Sequence, residues 1–256
     1  MTVEPIAAFS DNYIWCLRDA DRAVIVDPGD AGPVLHHCQQ QGLSITAILI
    51  THHHPDHTGG IATLLSRFPG CPVYGPRTSP CDQLTQRVTE GDTVSVLDCD
   101  FNVIAVPGHT LDHIAYWSTD NDTSLLFCGD TLFAAGCGRL FEGSAGQMYH
   151  SLAKLAALPD HTQVYCAHEY TLSNLKFAEA VEPANTALQQ RILRDRGARE
   201  RGQPTVPSSL ALEKATNPFL RCHLDRIAEA ASVHQQSRLT TPEAVFAAVR
   251  IWKDNF

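Results

Sequence analysis

One short stretch of this chain concentrates side chains that bind metal ions: Thr51-His52-His53-His54-Pro55-Asp56-His57. Within it, His52, His54, Asp56 and His57 offer three imidazoles and one carboxylate. Such groups resist burial without partners, so a cluster of them after an apolar strand rarely serves packing alone. Three further segments carry the same chemistry: His109 in Pro107–Thr110, Asp130 in Cys128–Thr131, and His168 in Ala167–Tyr170. Each follows a predicted strand. Loops at one end of a layered sheet domain converge, and sites collect there.

The spacing suggests how the ligands divide. His52 and His54 are two apart in an extended turn, so both side chains can point the same way and share one ion. Asp56 and His57 are adjacent after Pro55, which bends the chain, and can face a second ion. His109 then completes the first site and His168 the second, while Asp130 can bridge with its two oxygens. Ions paired in this way lie about 3.5–4 Å apart. Two dications, less the charges of Asp56, Asp130 and one hydroxide, leave a single positive charge, which suits an anionic tetrahedral intermediate of hydrolysis. Asp56 and Asp130 are therefore expected to serve catalysis as well as coordination. Nitrogen and oxygen donors suit two divalent metal ions, zinc first, with iron or manganese as alternatives. His53 points away from its neighbours and is expected to be no ligand. His113 is either a partner of His109 or a core residue, and Asp27 either orients a ligand histidine or serves the turn at Pro28-Gly29. His36, His37, His150, His161, His223 and His234 carry no supporting pattern.

The elements that must position these residues are readable in outline. Strands are predicted at Tyr13–Arg18 and Arg22–Val26, with a helix over Asp30–Gln41 capped by Asp30 and stopped by Gly42. Ala47–Ile50 is a short strand running into the histidines, followed by a helix over Ile61–Phe68. Strands over Thr93–Val96, Phe101–Val106, Ile114–Ser118 and Ser124–Cys128 follow, the last two flanking a hairpin turn at Thr119–Asp122. Gly136–Gly143 reads as a glycine-rich loop, Gln147–Leu158 as a helix, and Val164–Cys166 as a strand leading to His168. Beyond Tyr170 the pattern turns helical: Leu172–Val181, Asn185–Arg201, Leu224–Val233 and Pro242–Trp252, with Gly202–Ser209 as a loop. The expected organisation is a mixed domain over 1–170 and a helical domain over 171–256.

Composition bounds the rest. The chain has 256 residues, 44% of them hydrophobic, and a net charge of −9. That charge, without a basic stripe, argues against nucleic acid as a partner. The nine cysteines include no Cys-x-x-Cys pair. No basic-then-apolar leader and no apolar run of about 20 residues is present, so a cytoplasmic protein with free thiols and no membrane partner is expected.

Taken together, the motif His-x-His-x-Asp-His with distant His109, Asp130 and His168 resembles the metallo-β-lactamase superfamily. Within it the chain resembles the hydroxyacylglutathione hydrolases, or glyoxalase II. That likeness runs through Ser10–Tyr13, Val26–Gly29, Thr51–Gly60, Pro107–Thr110, Phe127–Phe133, Gly136–Arg139, His168–Phe177, Asn217–Phe219 and Arg250–Phe256. The resemblance implies an α+β fold, a four-layer αββα sandwich with a C-terminal helical domain that binds substrate. It implies the ligand split described above. It implies a small-molecule partner, a glutathione thioester held by Arg139, Tyr170, Arg250 and Lys253, whose basic groups suit carboxylates. Many members have tyrosine where this chain has Phe141, which leaves an aromatic face at that substrate position without the hydroxyl. The implied reaction is hydrolysis of S-(2-hydroxyacyl)glutathione, S-D-lactoylglutathione above all, by a metal-bridging hydroxide. This is the second step of methylglyoxal detoxification, and the expected state is a monomer.

Two rivals compete. A glutathione persulfide dioxygenase of the same superfamily would use one iron and lack the helical domain; the Tyr170 segment and the pair Arg250 and Lys253 argue against it. A non-catalytic relative would be expected to have lost ligands, and all seven are present.

Overall fold

The computed structural model describes residues 1–120 and 123–256. The chain folds as two compact units, one of Met1–Ala105 with Asp112–Gly129 and the other of Val106–Leu111 with Asp130–Phe256. Among the described residues, no helix is long and apolar enough to cross a membrane.

The first unit contains, in chain order, β1 (Thr2–Ala8), β2 (Asn12–Asp19), β3 (Arg22–Val26), α1 (Ala31–Gln41), β4 (Ser44–Leu49), α2 (Pro55–Thr58), α3 (Ile61–Arg67), β5 (Val73–Pro76), β6 (Gln86–Val88), β7 (Thr93–Val96), β8 (Cys99–Ala105), β9 (Ile114–Asp120) and β10 (Thr123–Gly129). Strands β1 to β6 form one sheet in sequence order, antiparallel through β3 and parallel beyond it. The parallel half follows from the connections: α1 and α3 are crossovers that bring the chain back to the same edge. Asp30 caps α1 by accepting from the Gly32 amide at 2.8 Å, and Gly42 ends it with φ of 66°. Strand β3 is buried along Ala23–Val26, as a strand covered on both faces must be. Ile14, Cys16, Ile25, Ile45 and Ile48 from the sheet pack with Val34 of α1 and Leu64 of α3. Strands β7 to β10 form an antiparallel meander. Buried Tyr116 of β9 donates its hydroxyl to the Ile50 carbonyl at 3.0 Å, and the Ile114 amide bonds Thr51 O at 2.9 Å, so the meander is tied to the end of β4. Strands β9 and β10 pair as expected, but Asn121 and Asp122 of their turn lie outside the described residues.

The second unit continues with β11 (Leu132–Phe133), β12 (Gly136–Cys137), α4 (Ala145–Ala156), β13 (Gln163–Cys166), α5 (Thr171–Val181), α6 (Thr186–Glu200), β14 (Ser208–Ser209), α7 (Leu210–Thr216), a single 3-10 turn at Pro218–Leu220, α8 (Asp225–Gln235) and α9 (Pro242–Asp254). The helix starts are chemically specified. Ser144 and Gln147 form a reciprocal capping box on α4, Asn185 caps α6, and Thr241 caps α9 ahead of Pro242. Phe177, Phe219, Phe246 and Trp252 make an aromatic core with ring centroids 5.6–6.0 Å apart. Fully buried Arg191 is neutralised by Glu213 at 2.6 Å and Asp195 at 3.2 Å. Helix α7 is absent from the sequence expectation: Pro204 and Pro207 mask the start of a helix that is only seven residues long. The glycine-rich segment Gly136–Gly143 begins with β12 of the β11–β12 hairpin, whose strands are too short to show a period.

Candidate metal centre

Each unit carries its own group of donors. In the first, β4 ends on the apolar run Ile48–Ile50 and delivers Thr51 and His52, both fully buried. Pro55 opens α2, so Asp56 and His57 sit on a helical turn, the form that the bend expected at Pro55 takes. A Cβ on Gly29 would lie 1.9 Å from the Asp56 carbonyl, so only glycine lets the β3–α1 turn pass beneath α2.

Asp27 organises this group. It is 4% exposed and sits at φ of 53°, an unfavourable conformation for a side-chain-bearing residue. Its carboxylate accepts the Thr51 amide at 2.8 Å and the Thr51 hydroxyl at 2.7 Å, and lies 3.1 Å from His57 Nδ1. Because the Thr51 hydroxyl donates to Asp27, its oxygen is left to accept from His52 Nδ1, 3.1 Å away. The proton is thus held on Nδ1, and the lone pair of His52 Nε2 faces His54 Nδ1 at 3.1 Å. Of the two sequence readings of Asp27, the geometry favours the orienting one. Asn12 donates to Asp56 Oδ2 at 3.1 Å, and the same oxygen is 3.5 Å from His57 Nε2. His53 Nδ1 lies 2.9 Å from Asp112 Oδ1. His113 stacks flat on His52 with centroids 4.5 Å apart, and its Nδ1 bonds the Ile114 carbonyl.

In the second unit, His109, Asp130 and His168 are 4%, 6% and 5% exposed. His109 Nδ1 donates to the Arg139 carbonyl at 2.8 Å, since a carbonyl can only accept. In its neutral form the ring then presents its Nε2 lone pair to Asp130 Oδ2 at 3.4 Å. His168 Nε2 lies 3.3 Å from that same oxygen. Two acceptors facing each other across 3.4 Å repel unless a cation sits between them. Donors about 2.1 Å from a shared tetrahedral zinc ion are separated by about 3.4 Å. The four donor separations within the units are 3.1, 3.5, 3.4 and 3.3 Å, so the donor groups fit divalent metal ions.

The remaining expected site residues differ in availability. Arg139 is exposed, with Nε 3.5 Å from Asp254. Phe141 is 62% exposed and meets the His109 ring edge-on at 5.2 Å. Tyr170 is 38% exposed and stacks parallel to His168 at 4.7 Å. Lys253 reaches the Ser173 carbonyl at 3.1 Å, and burial pushes its pKa down to about 8, helped by the charge of Arg250. Arg250 is only 5% exposed: it donates to the Cys137 carbonyl at 3.0 Å and to Asp254 at 2.9 Å. Thr51 and Asn12 are functional supports that sequence reasoning misses, because their partners lie in other segments.

With this geometry in view, comparison with known proteins is informative. The model of the metallo-beta-lactamase superfamily matches residues 9–80 and 83–168, and that of the hydroxyacylglutathione hydrolase C-terminus matches 169–256. The crystal structure of ETHE1 from Myxococcus xanthus superposes with a TM-score of 0.65 at 28% identity, covering 99% of this chain and 98% of that one. The chain is 52% identical over 258 residues to the hydroxyacylglutathione hydrolase of Nitrosomonas europaea, covering 100% of this chain and 97% of the relative. It is 50% identical over 256 residues to that of Aeromonas salmonicida, covering 100% and 99%. The chain has the metallo-β-lactamase fold and belongs to the hydroxyacylglutathione hydrolase family, as the sequence motifs imply.

Proposed function

We propose that the protein hydrolyses the thioester of S-(2-hydroxyacyl)glutathione, S-D-lactoylglutathione first, releasing glutathione and a 2-hydroxy acid. In this reading His52, His54 and His109 would hold one divalent metal ion and Asp56, His57 and His168 a second, with the Asp130 carboxylate available to both. Zinc is the proposed metal. The observation that carries the reading is the set of donor separations between 3.1 and 3.5 Å, with His109 Nδ1 engaged by the Arg139 carbonyl and Nε2 facing Asp130. Bound zinc supplies Lewis acidity and makes water nucleophilic near neutral pH.

The chain's own residues do the rest. Asp27 and Thr51 keep the proton of His52 on Nδ1, and the Arg139 carbonyl does the same for His109. Asn12 fixes the Asp56 carboxylate. Residues 171–256 serve as the substrate-binding domain and supply Lys253; with Arg139 it offers positive charge to the glutathione carboxylates, while Tyr170 and Phe141 offer aromatic faces. Arg250, being buried and doubly engaged, acts there as a support. All nine cysteines are buried and none is in a disulfide, which supports a reducing cytoplasm as the setting; a monomer is the proposed state.

The test compares hydrolysis of S-D-lactoylglutathione with that of an acyl thioester lacking the glutathione peptide, alongside metal quantification. Turnover selective for the glutathione thioester, with two metal equivalents, is expected. Oxygen uptake with glutathione persulfide and no thioester hydrolysis would replace this reading with the dioxygenase.

A further inference from the structure

The β11–β12 hairpin lies between two parts of the proposed metal centre: Asp130 precedes it by two residues, and Arg139, whose carbonyl orients His109, follows it by two. The hairpin is too short to hold its own shape. It has two paired positions, and its turn contains Ala135 at φ of 56°, a left-handed conformation that disfavours alanine. Yet it must be held closely, because a Cβ on Gly138 would meet the Asp130 carbonyl at 1.9 Å and His109 Nδ1 at 3.2 Å.

What holds it is a set of side chains from the helical segments. Asn217 donates to the Phe133 carbonyl at 3.2 Å and the Gly136 carbonyl at 2.9 Å. Asn174 donates to the Ala134 carbonyl at 3.1 Å, Glu213 accepts the Ala135 amide at 2.8 Å, and Arg250 donates to the Cys137 carbonyl. Five consecutive residues, 133–137, are thus each tied by a backbone group to a buried polar side chain from residues 174–250. Glu213 is itself fixed by Arg191 and by Ser208 at 2.5 Å. These groups satisfy backbone that the short hairpin leaves unpaired, and they leave it one position.

We infer that Asn174, Glu213, Asn217 and Arg250 are positioning residues of the metal centre, acting through the hairpin on Asp130 and on the Arg139 carbonyl that orients His109. The helical segment then has a second role besides binding substrate. The inference rests on the proposal that Asp130 and His109 are ligands.

The test uses the full chain with two mild variants. Asn217→Ser keeps an oxygen that can cap the 3-10 turn but removes the amide donors, and Asn174→Ala removes one neutral hydrogen bond. Glu179→Gln, on the same helix as Asn174 but bonded to Gln189, is the control. Zinc release to a chromophoric chelator and the visible spectrum of the cobalt-loaded protein are recorded, with circular dichroism to verify folding. Both variants are expected to fold, to release zinc about tenfold faster than wild type, the scale of outer-partner effects on metal sites, and to show an altered cobalt spectrum. The control is expected to match wild type. If Asn217→Ser fails to fold, Asn174→Ala decides alone. Folded variants with wild-type zinc release and cobalt spectrum overturn the inference while leaving the hydrolase reading intact. A wild-type protein that takes up no metal overturns both.

Discussion

Replacing Asp27 by asparagine should reverse the proton arrangement around His52. The aspartate accepts the Thr51 amide through Oδ1 and the Thr51 hydroxyl through Oδ2. Asparagine can keep the first bond with its carbonyl, but its NH2 group must then face the Thr51 hydroxyl and His57 Nδ1. Thr51 becomes the acceptor and turns its hydrogen toward His52, 3.1 Å away. His52 is thereby driven to carry its proton on Nε2, the nitrogen that faces His54, and His57 is pushed the same way. A protonated nitrogen cannot ligate. Loss of an orienting partner typically costs 10–100-fold in metal affinity, about 1.4–2.8 kcal/mol. Asp27→Asn affects two histidines and should fall at the upper end. Thr51→Val, which removes only the hydroxyl relay to His52, should fall at the lower. Zinc affinity by chelator competition at neutral pH is the assay, with circular dichroism to verify folding. A folded Asp27→Asn protein that binds zinc as tightly as wild type refutes the tautomer argument.

Other outcomes follow from the same geometry. Asp130→Ala should lower turnover by more than about 100-fold, beyond the range of outer partners, and reduce metal stoichiometry; wild-type-like hydrolysis would end the bridging assignment. Lys253→Ala should raise KM more than it lowers kcat, because the side chain is remote from the reacting atoms. In the wild type, KM should rise as pH passes about 8, where Lys253 loses its proton. The stability effect has the opposite sense. The folded pKa lies below the ordinary value of 10.5, so protonated Lys253 disfavours folding below about 8, and stability recovers as pH rises toward 10.5. A flat KM profile between pH 7 and 9 would remove Lys253 from substrate binding. Gly138→Ala should cost about 1–3 kcal/mol of stability from overpacking, read as a lower Tm with weakened metal binding.

The donors of the metal centre are legible in the sequence because their types are unusual and four of them fall within one turn. The strands of the sheet are legible too: Ala23–Val26 is continuously apolar because both faces are buried. The supports are legible only in part: Asp27 offers itself as an orienting group, but its partner does not, because Asp27 and Thr51 are 24 residues apart, and Asn12 lies 44 residues from Asp56. Arg250 looks like any basic residue near a chain end. Its burial depends on a carbonyl 113 residues away. The hairpin at 132–137 is missed, its second strand falling in the segment read as a glycine-rich loop, because its order comes from distant side chains rather than from local pattern.

The buried cysteines have a chemical consequence. A thiol reacts with electrophiles as its thiolate, and burial pushes the pKa of Cys16 and Cys166 to about 12 and that of Cys71 to about 11, with Cys38, Cys137 and Cys222 also raised. These six thiols are kept protonated and buried, so alkylating agents should reach them only when the chain opens. The rate of thiol labelling in the native protein would then measure opening of the fold, with no probe to introduce.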